Sequence, residues 1–418
     1  MHAYGFAAAS VADLWPNPIV ARHVDVAASR IVPYPHWPNG FFLLLEAVLR
    51  IFGRTEMVGR WFALLLTVGG FALVAVSVRR DARLVYFSMP LLLMTAAARD
   101  SASFVFLDAA LYFSIGLLLF LSGRGAGVFR MALVLTLFLN HLVAPYAAAI
   151  VLLRWGESRS LRAMLADAAA LGAASAAVLV GLALGAGNFD AGATELSNIF
   201  RLNATAHFDA WRNALLEDLL ASLNLGSATA LLVAAAWLGA VVTRQWRVAI
   251  LLPSFVLFSR LLPGYVSYHH FTRLPLVFFA LVTLLAAVEA MLEQLGRRWL
   301  LGAGSAGVAL ALAVRLAGGT RQYNVDPDLQ RRRGVLIEIV SNPAHATALQ
   351  TCNAFILARD NHQFDPRVPI AQFFFGPRVV ARAQRGEPVR TCAVDMAEGK
   401  LHGPLEPAEI ERWKHRRH

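Results

Sequence analysis

Apolar runs separated by short polar stretches occupy most of the chain between residues 60 and 318. A helix that crosses the hydrocarbon of a bilayer needs about 20 predominantly apolar residues, and several runs approach that length. The pattern therefore predicts an all-α polytopic membrane protein with about 8–10 membrane helices. The candidate spans are Trp61–Ser77, Leu84–Ala98, Ala102–Ser122, Ala163–Gly187, Ala228–Val242, Val248–Leu262, Leu274–Glu289 and Leu300–Ala317.

Two shorter apolar segments, Phe129–Leu139 and Leu142–Leu153, lie between the third and fourth candidate spans. Each has about half of the length that a crossing helix needs. The polar pair Asn140-His141 separates them, and Pro145 follows shortly afterwards. We expect a re-entrant hairpin that is broken at these residues.

The two ends of the chain are more polar than its middle. Near the start, a Pro- and aromatic-rich stretch from Tyr34 leads into an amphipathic helix that ends near Gly53. After Ala317 the apolar runs shorten, and Val335–Val340 and Ala354–Ala358 are candidate strands or helices. The predicted organisation is a first loop with a juxtamembrane helix (residues 1–60), a transmembrane bundle (61–318) and a small C-terminal domain (319–418).

Composition also favours a membrane protein. Of the 418 residues, 57% are hydrophobic and only 16% are charged, and the mean hydropathy is +0.55. A soluble domain carries about 25% charged residues. The net charge of +11 would suit nucleic acid. However, the arginines lie in short clusters between apolar runs, which is the distribution that sets membrane topology. We therefore expect the lipid bilayer, and no nucleic acid, as a partner.

Arginines are concentrated in every second loop between the candidate spans. Loops rich in Lys and Arg tend to stay in the cytoplasm, so this set is predicted to be cytoplasmic. The first loop, the loops 188–227 and 260–273 and the C-terminal domain are then extracytoplasmic, in a multi-pass protein of the cell (inner) membrane. The cytoplasmic set comprises Arg79, Arg80, Arg83, Arg124, Arg130, Arg154, Arg159, Arg162, Arg244, Arg247, Arg297 and Arg298.

The predicted outside position of the N-terminus requires that it be translocated. Residues 1–30 contain neither a signal-peptide core nor a spanning helix. We therefore expect a leading transmembrane helix upstream of Met1. A short N-terminus that is translocated without such a helix is the alternative.

Both cysteines of the chain, Cys352 and Cys392, fall in the segment that is predicted to lie outside. Disulfides form and persist in such oxidising compartments. We expect these two residues to form a disulfide, with two unpaired thiols as the alternative.

Asp108 lies within the apolar run Phe104–Phe113. Ionisable residues at membrane depth are costly and are functional hypotheses by default. The predicted topology places Asp108 near the outer surface, close to Arg99 and Asp100, where it would line an outward-facing polar site. The alternative is a helix-packing carboxylate that pairs with Arg99.

The first loop and its helix carry further ionisable residues. A carboxylate such as Asp13 or Asp25 could take a proton from an acceptor hydroxyl within hydrogen-bond reach, and His36 lies in the same loop. A solvated loop residue is the alternative for each of them. Glu46 precedes Arg50 by four residues, a spacing that favours an ordinary ion pair along a helix.

The loop 260–273 brings arginine, histidine and tyrosine to one predicted outer face. The guanidinium group of arginine can donate two parallel hydrogen bonds to the oxygens of a phosphate, so this loop is a candidate site for a lipid phosphate. Interfacial anchoring by tyrosine and arginine is the alternative. The ionisable residues of the loop are Arg260, His269, His270 and Arg273.

Several loose motifs recur together over roughly residues 13–290. They are Trp37–Phe42 followed by Ile51–Gly53, the Arg60-Trp-Phe-Ala-Leu-Leu opening of a span, Leu107–Phe113, Leu139–Pro145 and Tyr268–Pro275. Taken together they resemble the GT-C membrane glycosyltransferases. The most similar branch contains the protein O-mannosyltransferases and the aminoarabinose transferases of lipid A.

The resemblance implies a GT-C-like helical bundle and an inverting transfer of a hexose or pentose. The donor would be a polyprenyl-phosphate sugar, and the acceptor an extracytoplasmic glycan, lipid or protein. The family has a general base in the first loop. Asp13, ten residues before His23, matches its spacing best, and Asp25 is the other candidate. The candidates for substrate binding are His36, Arg99, Asp100, Asp108, Arg260, His269, His270 and Arg273.

Transfer from a monophosphate carrier does not demand a cofactor, and no Cys/His metal spacing occurs. Carboxylates such as Asp100 and Asp108 could nevertheless hold a divalent metal ion.

Two other functions stay open. A transporter or flippase of lipid-linked sugars would explain the spans and Asp108 without a base, although the large predicted outer surface favours the transferase. An inactive assembly protein with a GT-C-like scaffold would explain Leu14, which stands where the family has the second acid of its pair.

Overall fold

In the computed structural model, the chain forms two compact units. The first unit combines residues 1–35, 42–59 and 322–418, and the second combines 36–41 and 60–321. The residues whose structure is described are 20–25, 30–38, 40–53, 56–78, 84–93, 108–185, 211–213, 215–216, 223, 228–268, 270–294, 296, 327–352, 354–358, 388–395 and 398–415.

The described part of the chain starts with two paired strands and the predicted amphipathic helix. Strands β1 (Val20–Asp25) and β2 (Arg30–Pro38) form a two-stranded sheet, and α1 (Gly40–Phe52) follows. Phe41, Leu45 and Leu49 are buried along one face of α1, because residues four apart lie on the same side of a helix. Gly53 directly follows the helix, and its φ of +101° is readily adopted only without a Cβ.

Between residues 60 and 321, the described part of the second unit consists of helices joined by short turns. Helix α2 is Glu56–Val78, and a single 3₁₀ turn, Leu84–Phe87, precedes α3 (Ser88–Leu93). The remaining helices are α4 (Asp108–Leu121), α5 (Ala126–Leu139), α6 (Ala144–Ser158), α7 (Leu161–Gly185), α8 (Thr229–Val242), α9 (Trp246–Ala249), α10 (Leu251–Leu261), α11 (Pro263–Tyr268) and α12 (Leu274–Gln294).

Three of the described helices are long and apolar enough to cross a membrane. They are Met57–Val78 within α2, Leu161–Ala183 within α7 and Leu274–Gln294, which is α12. Helices α4, α5 and α8 are also apolar but shorter. The prediction of a helical membrane protein is confirmed at this level.

The predicted spans Trp61–Ser77, Ala163–Gly187, Ala228–Val242 and Leu274–Glu289 each correspond to one helix, with bounds that differ by a few residues. The predicted span Ala102–Ser122 is described only from Asp108 onwards. The predicted span Val248–Leu262 is divided at Ile250 into α9 and α10. The predicted span Leu84–Ala98 is described only as far as Leu93, and Leu300–Ala317 lies outside the described residues.

The predicted break at Asn140 is confirmed. Asn140 is extended, with φ −158°, and its side chain accepts a hydrogen bond of 3.0 Å from the amide of Leu142. A 3₁₀ turn, His141–Val143, then leads into α6, whose first turn contains Pro145. Proline is tolerated at that position because its missing N–H has no partner within the helix anyway. Helices α5 and α6 thus form a hairpin, and both pack on α7.

Glycines allow α2 and α4 to cross in direct backbone contact. A Cβ on Gly116 would lie 2.8 Å from the carbonyl carbon of Gly70, and a Cβ on Gly70 would lie 2.6 Å from the amide of Phe113. Small residues at helix crossings are characteristic of membrane bundles, because they let the backbones approach closely.

The C-terminal part of the first unit contains helices and a small sheet. Helix α13 is Pro327–Ser341, α14 is Ala346–Thr351 and α15 is Pro407–His415. The central strand β4 (Thr391–Asp395) pairs in parallel with β3 (Ala354–Ala358) and antiparallel with β5 (Lys400–His402).

Two predictions for this part are thereby resolved. Val335–Val340 belongs to a helix, α13, and Ala354–Ala358 is a strand, since five consecutive apolar residues suit a fully buried strand. The mostly helical character is confirmed, but the two small sheets show that the all-α prediction does not extend to the polar segments.

The C-terminal part also contains the disulfide that the sequence predicts. Cys352, directly after α14, is bonded to Cys392 of β4, with their Cα atoms 5.9 Å apart. Both cysteines are buried. The bond ties the end of α14 to the central strand of the sheet.

Candidate functional site

One end of the second unit is held together by paired arginines. We call it the arginine end, and it comprises Ser77, Ser122, Arg124, Arg130, Arg154, Glu157, Asp167 and Arg247. At its centre the carboxylate of Asp167, which is only 1% exposed, accepts hydrogen bonds from two helices. Arg130 of α5 donates to Oδ1 over 2.7 Å, and Arg154 of α6 donates to Oδ2 over 3.0 Å.

Arginines at this end also bind the C-terminal carbonyl groups of helices, which have no partner within a helix. Arg154 donates to the backbone oxygens of Ser122 and Arg124, just after α4. Arg247 donates to the backbone oxygen of Ser77 in α2 over 3.3 Å. Arg247 also forms a bidentate salt bridge with Glu157, with hydrogen bonds of 2.8 and 3.0 Å.

These contacts bring together the segments around Ser77, Ser122, Glu157 and Arg247. They belong to loops that the sequence analysis assigns to one side of the membrane. Their grouping at one end is a feature of the fold, and the assignment of that end to the cytoplasm stays a prediction.

The opposite end of α4 carries Asp108. The helix has 14 residues, so Asp108 lies about 20 Å along the axis from Leu121, at 1.5 Å per residue. Its side chain is buried, with 3% of the residue exposed. Neither carboxylate oxygen has a hydrogen-bond partner among the residues that the structure describes.

Two tyrosines accompany this carboxylate. Tyr112 lies one helical turn further along α4, and Tyr146 lies in the first turn of α6. Tyr112 lies four residues after Asp108 and therefore on the same face of α4, and α4 packs on α6, which carries Tyr146. The hydroxyl of Tyr146 is buried and has no hydrogen-bond partner within the described part of the chain. We call Asp108, Tyr112 and Tyr146 the carboxylate cluster.

Buried aromatic rings surround the cluster. Phe71 of α2 lies 5.2 Å from the ring of Tyr112 and 4.4 Å from that of Phe278. Tyr146 lies 5.1 Å from Phe258 of α10 and 6.5 Å from Phe279 of α12, measured between ring centroids. The polar cluster is therefore embedded in apolar walls from several helices.

Two predicted phosphate ligands belong to the same end of the unit. Arg260 is exposed, lies two residues after Phe258 in α10, and places its guanidinium 4.9 Å from the ring of Trp211. Arg273 is 8% exposed and directly precedes α12. It lies six residues before Phe279, or about 9 Å along a helix axis. The ring contacts of Phe258 and Phe279 with Tyr146 thus show that both arginines lie at the same end of the unit as Tyr146.

The other predicted site residues have no described side chain. Asp25 and His36 lie in β1 and β2, and His270 lies in the 3₁₀ turn His270–Arg273, but only their backbone is described. Four further predictions, including the first candidate base, lie outside the described residues: Asp13, Arg99, Asp100 and His269.

The structure also resolves the expectation for Glu46. Nε of Arg50 donates to Oε1 of Glu46 over 2.7 Å, which confirms the pair along the helix.

Sequence reasoning missed three of the residues that matter here. Tyr112 could have been found, because it lies four residues after Asp108 and therefore on the same helix face. Tyr146 and Asp167 carry no comparable signal, since their partners lie on other helices and only the packing brings them together.

The described residues contain no group of three or more His, Cys, Asp or Glu side chains that could hold a metal ion. A divalent ion shared by Asp100 and Asp108 stays an expectation, because Asp100 is outside those residues.

The candidate site therefore has two chemically distinct parts, the carboxylate cluster and the two arginines, at the end opposite the arginine end. Comparison with protein-family models, curated proteins and solved structures found no match for this chain.

Proposed function

We propose that the protein is a membrane glycosyltransferase with a GT-C-like bundle. It moves a hexose or pentose from a polyprenyl-phosphate carrier to an extracytoplasmic glycan, lipid or protein, with inversion. The observation that carries the proposal is the presence of a buried carboxylate, Asp108, and two arginines, Arg260 and Arg273, at one end of an apolar helical unit. A lipid-linked sugar has a group to match each of these residue types. Its phosphate can bind the arginines, and the hydroxyl groups of its sugar ring can bind the carboxylate.

The arginines are suited to the leaving group. Arg260 is exposed, and its guanidinium group stacks on the ring of Trp211. The stacking orients the guanidinium group, and the exposure of the residue lets a phosphate reach it. A guanidinium presents two parallel donors to phosphate oxygens. Positive charge at the phosphate stabilises the negative charge that grows there as the bond to the sugar breaks.

The transfer itself is a single displacement. The acceptor hydroxyl gives its proton to a carboxylate of the first loop, Asp13 or Asp25, and its oxygen attacks the anomeric carbon. The bond between that carbon and the phosphate oxygen breaks with its electron pair, which leaves polyprenyl phosphate. Attack from the face opposite the leaving group inverts the anomeric configuration. Positioning and one base suffice for this chemistry.

In the proposed topology, the candidate site and the C-terminal domain face the extracytoplasmic side of the membrane, and the arginine end faces the cytoplasm. Clusters of arginine favour the cytoplasmic side, and the disulfide between Cys352 and Cys392 suits an oxidising compartment.

Mutagenesis tests the assignment of roles. Membranes that contain the wild type, or its Asp13→Asn, Asp25→Asn, Asp108→Asn, Arg260→Gln or Arg273→Gln variant, are incubated with labelled polyprenyl-phosphate sugars. We expect transfer to fall by at least about 100-fold when the base is replaced. Glu157→Gln, at the arginine end, serves as the control and should retain activity. Full transfer by both loop variants would exclude Asp13 and Asp25 as the base.

A transporter or flippase of lipid-linked sugars is the second candidate. The observation that favours it is the position of Asp108 inside the helical unit rather than in a loop, since intramembrane carboxylates often line transport paths. In sealed vesicles a flippase would move the labelled lipid to the opposite leaflet with its sugar still attached, whereas the transferase would separate the two.

A further inference from the structure

The carboxylate cluster has hydrogen-bonding capacity that the described residues do not use. Both oxygens of Asp108 and the hydroxyl of Tyr146 are buried without a partner among them. Leaving a buried polar group unpaired costs free energy, and most such groups in native proteins have a partner. Three unused hydrogen-bonding positions in one cluster therefore make it a candidate binding site for a partner such as a bound ligand.

Charge and donor number narrow the chemistry of that partner. A phosphate is unsuitable, because the carboxylate of Asp108 would repel it at short range. A divalent cation prefers six or more oxygen ligands, often from several carboxylates, whereas the cluster provides one carboxylate and two phenols. A neutral group with two adjacent hydroxyls fits better, since each hydroxyl can donate to one carboxylate oxygen while the phenol of Tyr146 donates or accepts.

The surroundings of the cluster support the same ligand. Rings of Phe71, Phe258 and Phe279 contact the two tyrosines. Binding sites for small molecules are mostly apolar, with a few polar groups that fix orientation. The C–H groups of a sugar ring can pack on the aromatic rings of the protein. The hydroxyl groups at the edge of the sugar ring can bind the polar side chains of the cluster.

The length of α4 gives the depth of Asp108 in a bilayer. The hydrocarbon core of a bilayer is about 30 Å thick, and Asp108 lies about 20 Å from the opposite end of α4. With the arginine end at one boundary, Asp108 lies about 10 Å below the other. Arg260, at the end of α10, and Arg273, directly before α12, lie at the same end of the unit as Asp108.

We infer that the carboxylate cluster binds two adjacent hydroxyls of the sugar ring, while Arg260 and Arg273 bind the phosphate of the same molecule. This assigns Tyr146 to substrate binding and makes a vicinal diol the feature by which the protein selects its sugar. The inference rests on the proposed lipid-linked substrate, but it holds for a transferase and for a flippase alike.

Equilibrium binding to the purified full chain in lipid nanodiscs tests it without requiring turnover. The probes are polyprenyl phosphate alone, its conjugates with several hexoses and pentoses, and the matching 2-deoxy and 3-deoxy conjugates. The variants are Asp108→Asn and Tyr146→Phe, which preserve side-chain size. Ser114→Ala is the matched control, because Ser114 also has a buried hydroxyl without a described partner but lies on a different face of α4.

We expect Asp108→Asn to weaken binding of the preferred conjugate by at least about tenfold, the loss of one hydrogen bond to a charged group. Tyr146→Phe should weaken it about threefold to tenfold, and Ser114→Ala should have no effect. Bare polyprenyl phosphate should bind all four proteins equally. One deoxy conjugate should bind the wild type weakly, and Asp108→Asn should no longer distinguish it from the parent sugar.

Equal binding of the conjugates to the wild type and Asp108→Asn would overturn the inference and leave the proposed function standing. The inference would also be overturned if Asp108→Asn weakened the binding of bare polyprenyl phosphate as much as that of the conjugates, because the loss of affinity would then not involve the sugar. Failure of the folded wild type to bind polyprenyl phosphate or any conjugate would instead contradict the proposed function itself.

Discussion

Nε of Arg154 donates a hydrogen bond of 3.0 Å to Oδ2 of Asp167 and thereby ties α6 to α7. Arg130 binds the other oxygen of the same carboxylate, so three helices meet at one buried aspartate. Asp108 is equally buried, yet it lacks such partners among the described residues. The two aspartates lie at opposite ends of the helical unit. Asp167 is paired within the protein, and Asp108 is the proposed ligand-binding carboxylate.

Replacement of Asp167 should therefore destabilise the protein. Asp167→Leu leaves the guanidinium groups of Arg130 and Arg154 without their carboxylate, and removal of one member of a buried pair costs roughly 3 kcal/mol. The free energy of unfolding in mixed SDS micelles measures this loss. The control is Glu157→Gln, whose pair with Arg247 is less buried and whose loss should cost less than about 1 kcal/mol. Unchanged stability of Asp167→Leu would contradict the role given to this carboxylate.

Replacement of Asp108 should have the opposite effect on stability. Asp108→Leu removes a buried carboxyl that has no described partner, so the free energy of unfolding should rise by about 1–2 kcal/mol. Binding or transfer of the lipid-linked sugar should be lost in the same variant. The same SDS titration compares it with Asp167→Leu. A clear destabilisation by Asp108→Leu would show that this carboxylate serves packing rather than ligand binding.

Substitution of the crossing glycines should be costly. Gly116→Ala would place a methyl group 2.8 Å from the carbonyl carbon of Gly70, and backbone atoms cannot move aside as a flexible side chain can. We expect a loss of about 1–3 kcal/mol, measured as a lower thermal unfolding midpoint in detergent. Gly172→Ala in α7 is the matched control. Nothing lies within 4 Å of its added Cβ, so it should be neutral or slightly stabilising. Equal effects of the two substitutions would exclude close α2–α4 packing.

Loss of the disulfide should loosen the C-terminal part of the first unit. Cys352→Ser with Cys392→Ser should lower the stability of the segment 327–415 by about 2–4 kcal/mol. Limited proteolysis followed by mass spectrometry would detect faster cleavage there, with the helical unit unaffected. A maleimide should label the denatured wild type only after reduction. Labelling of both cysteines without a reductant would contradict the bond.

The sidedness of the two ends can be measured by cysteine labelling. The native cysteines are bonded to each other, so a single added cysteine can be followed. With a membrane-impermeant maleimide, Arg260→Cys should react in spheroplasts and Arg124→Cys only in inverted vesicles, because both positions are exposed. The reverse pattern would place the candidate site in the cytoplasm and exclude the proposed extracytoplasmic transfer.

Much of the helical unit could be predicted from the sequence, because its signals are local. An apolar run of sufficient length predicts α2, α7 and α12, and Asn140 followed by Pro145 predicts the break between α5 and α6. The disulfide could also be predicted, since the chain has only two cysteines and both lie in one polar segment.

The partners in the site could not be predicted in the same way. Asp167 is 37 residues from Arg130 and 13 from Arg154, and only the packing of the hairpin on α7 brings them together. Likewise Asp108 was a candidate from its apolar surroundings, whereas Tyr146 joins it only because α4 packs on α6. Such contacts depend on tertiary structure and leave no local pattern.

The most direct test of the proposed function follows the sugar label in proteoliposomes that contain the purified wild-type protein and a labelled polyprenyl-phosphate sugar. The acceptor is a cell-envelope extract, and the anomeric configuration of the product is read by NMR. We expect label to leave the carrier lipid and appear in the acceptor with inverted configuration, and Asp108→Asn to reduce this transfer by at least about tenfold at a limiting concentration of the donor. Label that stays on the carrier in the wild type, or that crosses the bilayer with the carrier intact, would contradict the account.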